Sequence, residues 1–186
     1  SQELYNQYQL FSLHGQSKDA FSKEQNSSWE YDVVGPWYKC NMTDITAAIG
    51  LAQLERYPDM LERRQQVIKK YDQVCDRLGV KYLKHSTEQS RSSGHLYITR
   101  IPDITPERRN DIITEMAQLG VTCNVHYKPL PMMSGYMNLG FDIKDYPNAY
   151  NYFANEITLP LYSRLTDDEV DYICECFEKV VSKYIK

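Results

Sequence analysis

In KCNMTDITAAIGLAQLERYPDMLERR, residues 39–64, a polar loop runs into the start of a long helix. Thr43 or Asp44 can cap that helix, a side-chain oxygen accepting from the amides of the first turn that have no partner of their own. Ala47, Ala48 and Gly50 carry almost no side chain, so this start can approach another backbone closely, inside the domain or against a second subunit. From Tyr57 onward Met60, Leu61, Val67, Ile68, Tyr71, Val74, Cys75 and Leu78 recur at spacings of three and four, and Gly79 stops the pattern. That periodicity predicts a long amphipathic helix, bent near Pro58.

Working outward, His95–Ile101 (HLYITRI) alternates and is β-branched or aromatic, which predicts a strand. Thr105 and Pro106 open a helix whose buried stripe is Ile112, Ile113, Met116 and Leu119, closed by Gly120. Val121–Tyr127 (VTCNVHY) reads as the next strand, and Pro129 with Pro131 turns it into a loop reaching Gly140. A short helix over 146–155 precedes an apolar run, Ile157–Tyr162. Thr166 and Glu169 then form a capping box for a terminal helix lined by Val170, Ile173, Cys174, Phe177, Val180, Val181 and Tyr184. Residues 1–40 show neither period and read as loops, the polar stretch Ser22–Ser28 included. This order predicts an α+β fold, a small antiparallel sheet covered by helices. Residues 1–56 separate from a regular domain over 57–186.

Composition narrows the function. The 186 residues are 42% hydrophobic with a formal charge of −4 and interleaved signs, so a phosphate-tracking nucleic-acid surface is not expected. No apolar run is long enough to cross a bilayer, and SQELYNQYQLF lacks the layout of a signal peptide, which makes the cytoplasm the expected compartment. The five cysteines are expected as reduced thiols. Cys174 and Cys176, two apart on a helix, point away from each other, and the four histidines share no ligand spacing, so no metal site is predicted.

The ordered string Tyr38, Lys39, Cys40, Asn41, Met42, Thr43, Asp44, Ile45, then Ala47, Ala48, Ile49, Gly50, Gln53 and Leu54, resembles the DegT/StrS sugar aminotransferases, which use pyridoxal phosphate to aminate a nucleotide-linked keto sugar. Four further segments resemble that family in the expected order: His14-Gly15, HLYITR from His95, HYKPL from His126, and ITLPLYSRLTDDEVDYI from Ile157. The resemblance implies the C-terminal small domain of a fold-type-I aminotransferase, preceded by loops and a helix that belong to the large-domain side.

It also implies roles. Asn41 matches an asparagine that reaches across a homodimer interface to the cofactor phosphate of the neighbouring subunit, an amide donor suited to an anionic oxygen. His14, His126 and Tyr127 match positions near the sugar-nucleotide pocket, and Lys39 is placed to neutralise phosphate. The family holds its cofactor on a lysine in a segment resembling Ser-Phe-His-x-x-Lys-Asn, and these residues contain none. No catalytic residue is therefore expected in this chain, and the chain alone is expected not to transaminate, because that lysine both holds the cofactor and moves the proton. An amino donor such as glutamate would serve the complete protein. Trp37, Cys40 and Pro131 depart from the family pattern, where glycine, an aromatic and a second histidine are usual. Two other readings stay open: an interaction module pairing with a full-length homologue, and the related sugar dehydratase, in which histidine replaces the lysine.

Overall fold

The computed structural model describes residues 1–17 and 32–185. They form two compact units, Ser1–Glu55 and Arg56–Lys186, and the boundary falls inside one helix.

The first unit opens with a helix where sequence periodicity predicts only loops. α1 spans Gln2–Ser12, and Leu4 N–H donates to the Ser1 hydroxyl at its start. Leu4, Tyr8 and Phe11 recur along it at spacings of four and three, a stripe only three residues long, and no residue of the helix is buried. The chain then reverses at His14 and Gly15, whose φ values are +55° and +74°. It pairs antiparallel through isolated bridges at Leu13↔Lys39 and Gln16↔Val33. Gly15 has no alternative, since a Cβ there would lie 2.3 Å from the Gly35 carbonyl oxygen and 2.9 Å from the Trp37 ring. Trp37, which stands where a glycine is expected, packs its indole against these glycines and meets Phe11 edge-on at 4.7 Å. The polar stretch Ser22–Ser28 lies outside the described residues.

α2 is one helix from Asp44 to Leu78, 35 residues, with Pro58 inside it. The small-residue start and the amphipathic run are continuous, as the reading of a loop running into one long helix expects. At 1.5 Å per residue it is about 50 Å long. Its C-terminal half buries Val67, Ile68, Tyr71, Val74 and Cys75, together with Gln65, whose amide donates to Ser92 O at 3.1 Å.

The second unit carries a three-stranded antiparallel sheet in the order β1 (Lys81–Tyr82), β2 (Tyr97–Arg100), β3 (Glu156–Leu159). β2 is fixed against β3 from Tyr97↔Leu159 to Arg100↔Glu156. β1 has only two residues, too few to show a period. α3 (Pro106–Gln118) is capped by Thr105 as expected, α4 (Ser134–Met137) is a single turn, and α5 (Pro147–Ala154) leads into β3.

The strand expected over Val121–Tyr127 shrinks to one bridge, Asn124↔Thr158, with reciprocal bonds of 3.1 and 2.8 Å. In an antiparallel ladder the next bonded pair would be His126↔Glu156. There the His126 amide donates instead to the Glu156 carboxylate, at 2.9 Å, and the ladder ends.

α6 (Asp167–Val181) closes the unit behind the expected capping box: Thr166 N–H donates to Glu169 Oε2 at 2.8 Å and Glu169 N–H to Thr166 Oγ1 at 3.2 Å. Its buried face holds Val170, Ile173, Cys176, Phe177, Val180 and Val181, so Cys176 takes the fully buried position and Cys174 stands half-buried at the margin. The core centres on Tyr71, Tyr97, Ile101, Ile112, Met116, Ile157 and Phe177. Thr166→Ala removes one half of the box and should cost about 1 kcal/mol in equilibrium urea denaturation. A change near zero would show that Glu169 caps the helix unaided.

Candidate functional site

Three of the five site residues expected from sequence lie in the first unit. His14 N–H donates to Tyr38 O at 2.8 Å, and the Leu13↔Lys39 bridge sets Lys39 directly across from the His14 turn. Cys40 N–H donates to Ser12 O at 2.9 Å, the last bond before the loop reaches Asn41. Asn41 then leads into α2, whose first turn is capped by Thr43: Thr46 N–H reaches the Thr43 hydroxyl at 3.4 Å. His14, Lys39 and Asn41 are all exposed. Among the described residues the Asn41 amide has no hydrogen-bond partner, so it is a donor available to an anionic oxygen. The sequence around α1 and the Gly15 turn thus holds three polar side chains on one short stretch of paired backbone.

The other two, His126 and Tyr127, belong to the second unit. Tyr127 is exposed and its ring meets that of His126 at 4.6 Å, edge to face. His126 is half-buried and rests on three residues that sequence reading did not single out. The Thr158 hydroxyl donates to Glu156 Oε1 at 2.5 Å, and His126 Nδ1 lies 2.9 Å from that same hydroxyl oxygen. Arg109 is buried beneath them. Its Nη1 donates to Phe153 O at 2.9 Å and Glu156 O at 3.1 Å, its Nε to Asn110 Oδ1 at 2.8 Å, and the guanidinium lies 4.8 Å over the Phe153 ring.

Burial pushes the Glu156 carboxyl up from its usual range, opposed by the Thr158 hydroxyl, the His126 amide and the charges of His126 and Arg109. Burial likewise lowers Arg109, opposed by Glu156. Two signals pointed to this network. Arg109 falls on the same stripe as Ile112 and Met116, and Glu156 directly precedes a run that is otherwise apolar. A charged residue in such a position is buried only with partners.

Next along the chain, Pro131, Met132, Met137, Phe141, Asp142 and Ile143 line an open hollow of about 380 Å³. It includes neither His126 nor Tyr127.

Residues 1–178 match the model of the DegT/DnrJ/EryC1/StrS aminotransferase family. The chain belongs to this family. Among curated relatives, the spore coat polysaccharide biosynthesis protein SpsC of Bacillus subtilis is 33% identical over 184 residues, covering 97% of this chain and 47% of the relative. GDP-perosamine synthase of Caulobacter vibrioides is 30% identical over 170 residues, covering 91% and 43%. Among solved structures, Spr1654 of Streptococcus pneumoniae, which carries the name of a sugar aminotransferase, superposes in its PMP-form with a TM-score of 0.81 at 53% identity, covering 99% of this chain and 46% of that one. The chain therefore spans about half the length of the family members it matches. Spr1654 is also solved in a PLP-form, to which this chain is similar at 50% identity and a TM-score of 0.79.

Proposed function

We propose that this chain supplies the C-terminal portion of a pyridoxal-phosphate-dependent enzyme that aminates a nucleotide-linked keto sugar for surface polysaccharides or glycosylated metabolites. On this reading residues 1–56 complete the large domain, residues 57–186 are the small domain, and the complete protein works as a cytoplasmic homodimer with an amino donor such as glutamate. The family membership carries the reading, and the exposed Asn41 amide, without a partner among the described residues, supports it.

When bound, the cofactor supplies the electron sink for moving an amino group. The residues of this chain bind and orient. Asn41 donates to a phosphate oxygen of the cofactor across the subunit interface, Lys39 offsets phosphate charge, and His14, His126 and Tyr127 contact the sugar nucleotide. The apolar side chains along the first turns of α2 fit a surface that a partner subunit covers: Ile45 is 78% exposed and Leu51 68%. No described helix is long and apolar enough to cross a membrane.

The test is direct. After incubation with pyridoxal phosphate and borohydride, peptide mapping of this chain should find no lysine carrying the reduced cofactor, because no segment here resembles the family's lysine loop. Stoichiometric labelling of one lysine in the chain would overturn the division of labour.

A further inference from the structure

We propose that Glu156 and Thr158 are positioning residues that hold the His126 ring in its Nδ1–H form and so present Nε2 as a hydrogen-bond acceptor. The available protons decide the tautomer. A hydroxyl has one to give, and Thr158 gives it to Glu156 Oε1, at 2.5 Å. The other carboxylate oxygen is already committed as acceptor to the His126 amide, at 2.9 Å. Thr158 Oγ1 then faces His126 Nδ1, 2.9 Å away, with only lone pairs. Nδ1 must carry the proton. In the neutral ring that leaves Nε2 bare, and among the described residues Nε2 has no partner.

The same carboxylate fixes both the backbone and the ring of His126, and it is held in turn by the fold. Glu156 and Thr158 are 3% and 4% exposed on β3, with their backbones anchored by β2 and by Asn124. Arg109 Nη1 grips the Glu156 carbonyl from the opposite element, α3. The ring thus has one supported orientation and one supported proton.

The consequence for recognition rests on the function proposed above, whereas the tautomer does not. A bare Nε2 accepts from a donor, so it suits a hydroxyl of the sugar or ribose. Phosphate oxygens accept only, and the neutral ring offers them nothing.

The experiment is long-range ¹H–¹⁵N NMR on the 186-residue chain labelled at its four histidines, with His126→Gln to assign the signal. At a pH of about 8, above the ordinary histidine range, Nδ1 of His126 should resonate as a protonated ring nitrogen and Nε2 as an unprotonated one. Thr158→Val, close in shape, should release the ring to an unconstrained mixture of tautomers. Glu156→Gln should go further. Its amide oxygen takes the His126 N–H, its NH₂ faces Thr158, and the Thr158 proton turns onto Nδ1, inverting the pattern. A wild-type ring protonated on Nε2 overturns the proposal, since it would mean a protonated Glu156 donating to Thr158. So does a folded Thr158→Val variant that keeps the wild-type pattern. The wild-type spectrum decides the matter even where a variant does not fold, and because no ligand is added, failure here is separate from failure of the aminotransferase reading.

Discussion

Arg109→Met should lower the stability of the second unit by about 3–5 kcal/mol. Arg109 is 3% exposed, and methionine can fill the path of its apolar stem without its charge or its donors. The Phe153 and Glu156 carbonyls then lose a charged donor each. Hydrogen bonds to charged groups are worth about 1.5–3 kcal/mol apiece, and the groups left behind are in or near the core. Glu156 also loses a positive charge that opposes the effect of burial on its carboxyl. That part of the loss has a sign. The attraction acts only while Glu156 is ionised, so the contribution is present above the raised Glu156 range and shrinks as pH falls through it. Arg109→Lys should sit between, because an ammonium keeps the charge but lacks the planar fork that reaches two carbonyls and Asn110 together. Urea denaturation of the three proteins measures this, and a loss under about 1 kcal/mol in Arg109→Met would show that water replaces the guanidinium at no great cost.

Asn41→Ala, placed in a protein of the relatives' full length, should raise the dissociation constant for pyridoxal phosphate tenfold to a hundredfold. One hydrogen bond to a charged oxygen accounts for about 1.5–3 kcal/mol, which converts to that range. Among the described residues Asn41 is exposed and without a hydrogen-bond partner, so none of them gives this amide an internal role that would confuse the result. Stability should therefore change little while cofactor retention falls. Equilibrium dialysis against the cofactor checks it, and unchanged affinity would remove Asn41 from the site.

The regular elements of the second unit were legible because burial there follows a simple period. Ile112 and Met116 mark the inner face of α3, Val170 and Phe177 that of α6, and Thr105 and Thr166 announce the two starts. What stayed hidden has physical reasons. In α1, Leu4, Tyr8 and Phe11 do recur at spacings of four and three, but the stripe is short and set among glutamines and asparagine, and no residue of the helix is buried. The helix expected around Pro58 is one continuous α2, and its start lies thirteen residues before Tyr57, where the apolar period begins. The strand expected at Val121–Tyr127 fails at the one place where a side chain outcompetes a backbone carbonyl, Glu156 taking the His126 amide.

The site divides in the same way. His14, Lys39, Asn41, His126 and Tyr127 were found through an ordered resemblance, which carries identity and no geometry. Glu156, Thr158 and Arg109 support His126 from β3 and α3, 30, 32 and 17 residues away along the chain, and only folding brings them together. Pattern alone could flag the charges of Glu156 and Arg109 as misplaced in buried runs; it could not say what they hold.

The most direct measurement is an amination assay with glutamate, pyridoxal phosphate and a panel of nucleotide-linked keto sugars, following the amino-sugar nucleotide by mass spectrometry and 2-oxoglutarate as co-product. Both products are expected, in equal amounts, from a protein of the relatives' full length that contains these residues, and neither from the 186-residue chain alone. Amino-sugar nucleotide formed by the chain alone, or no amination of any sugar in the panel by the full-length protein, would contradict that expectation.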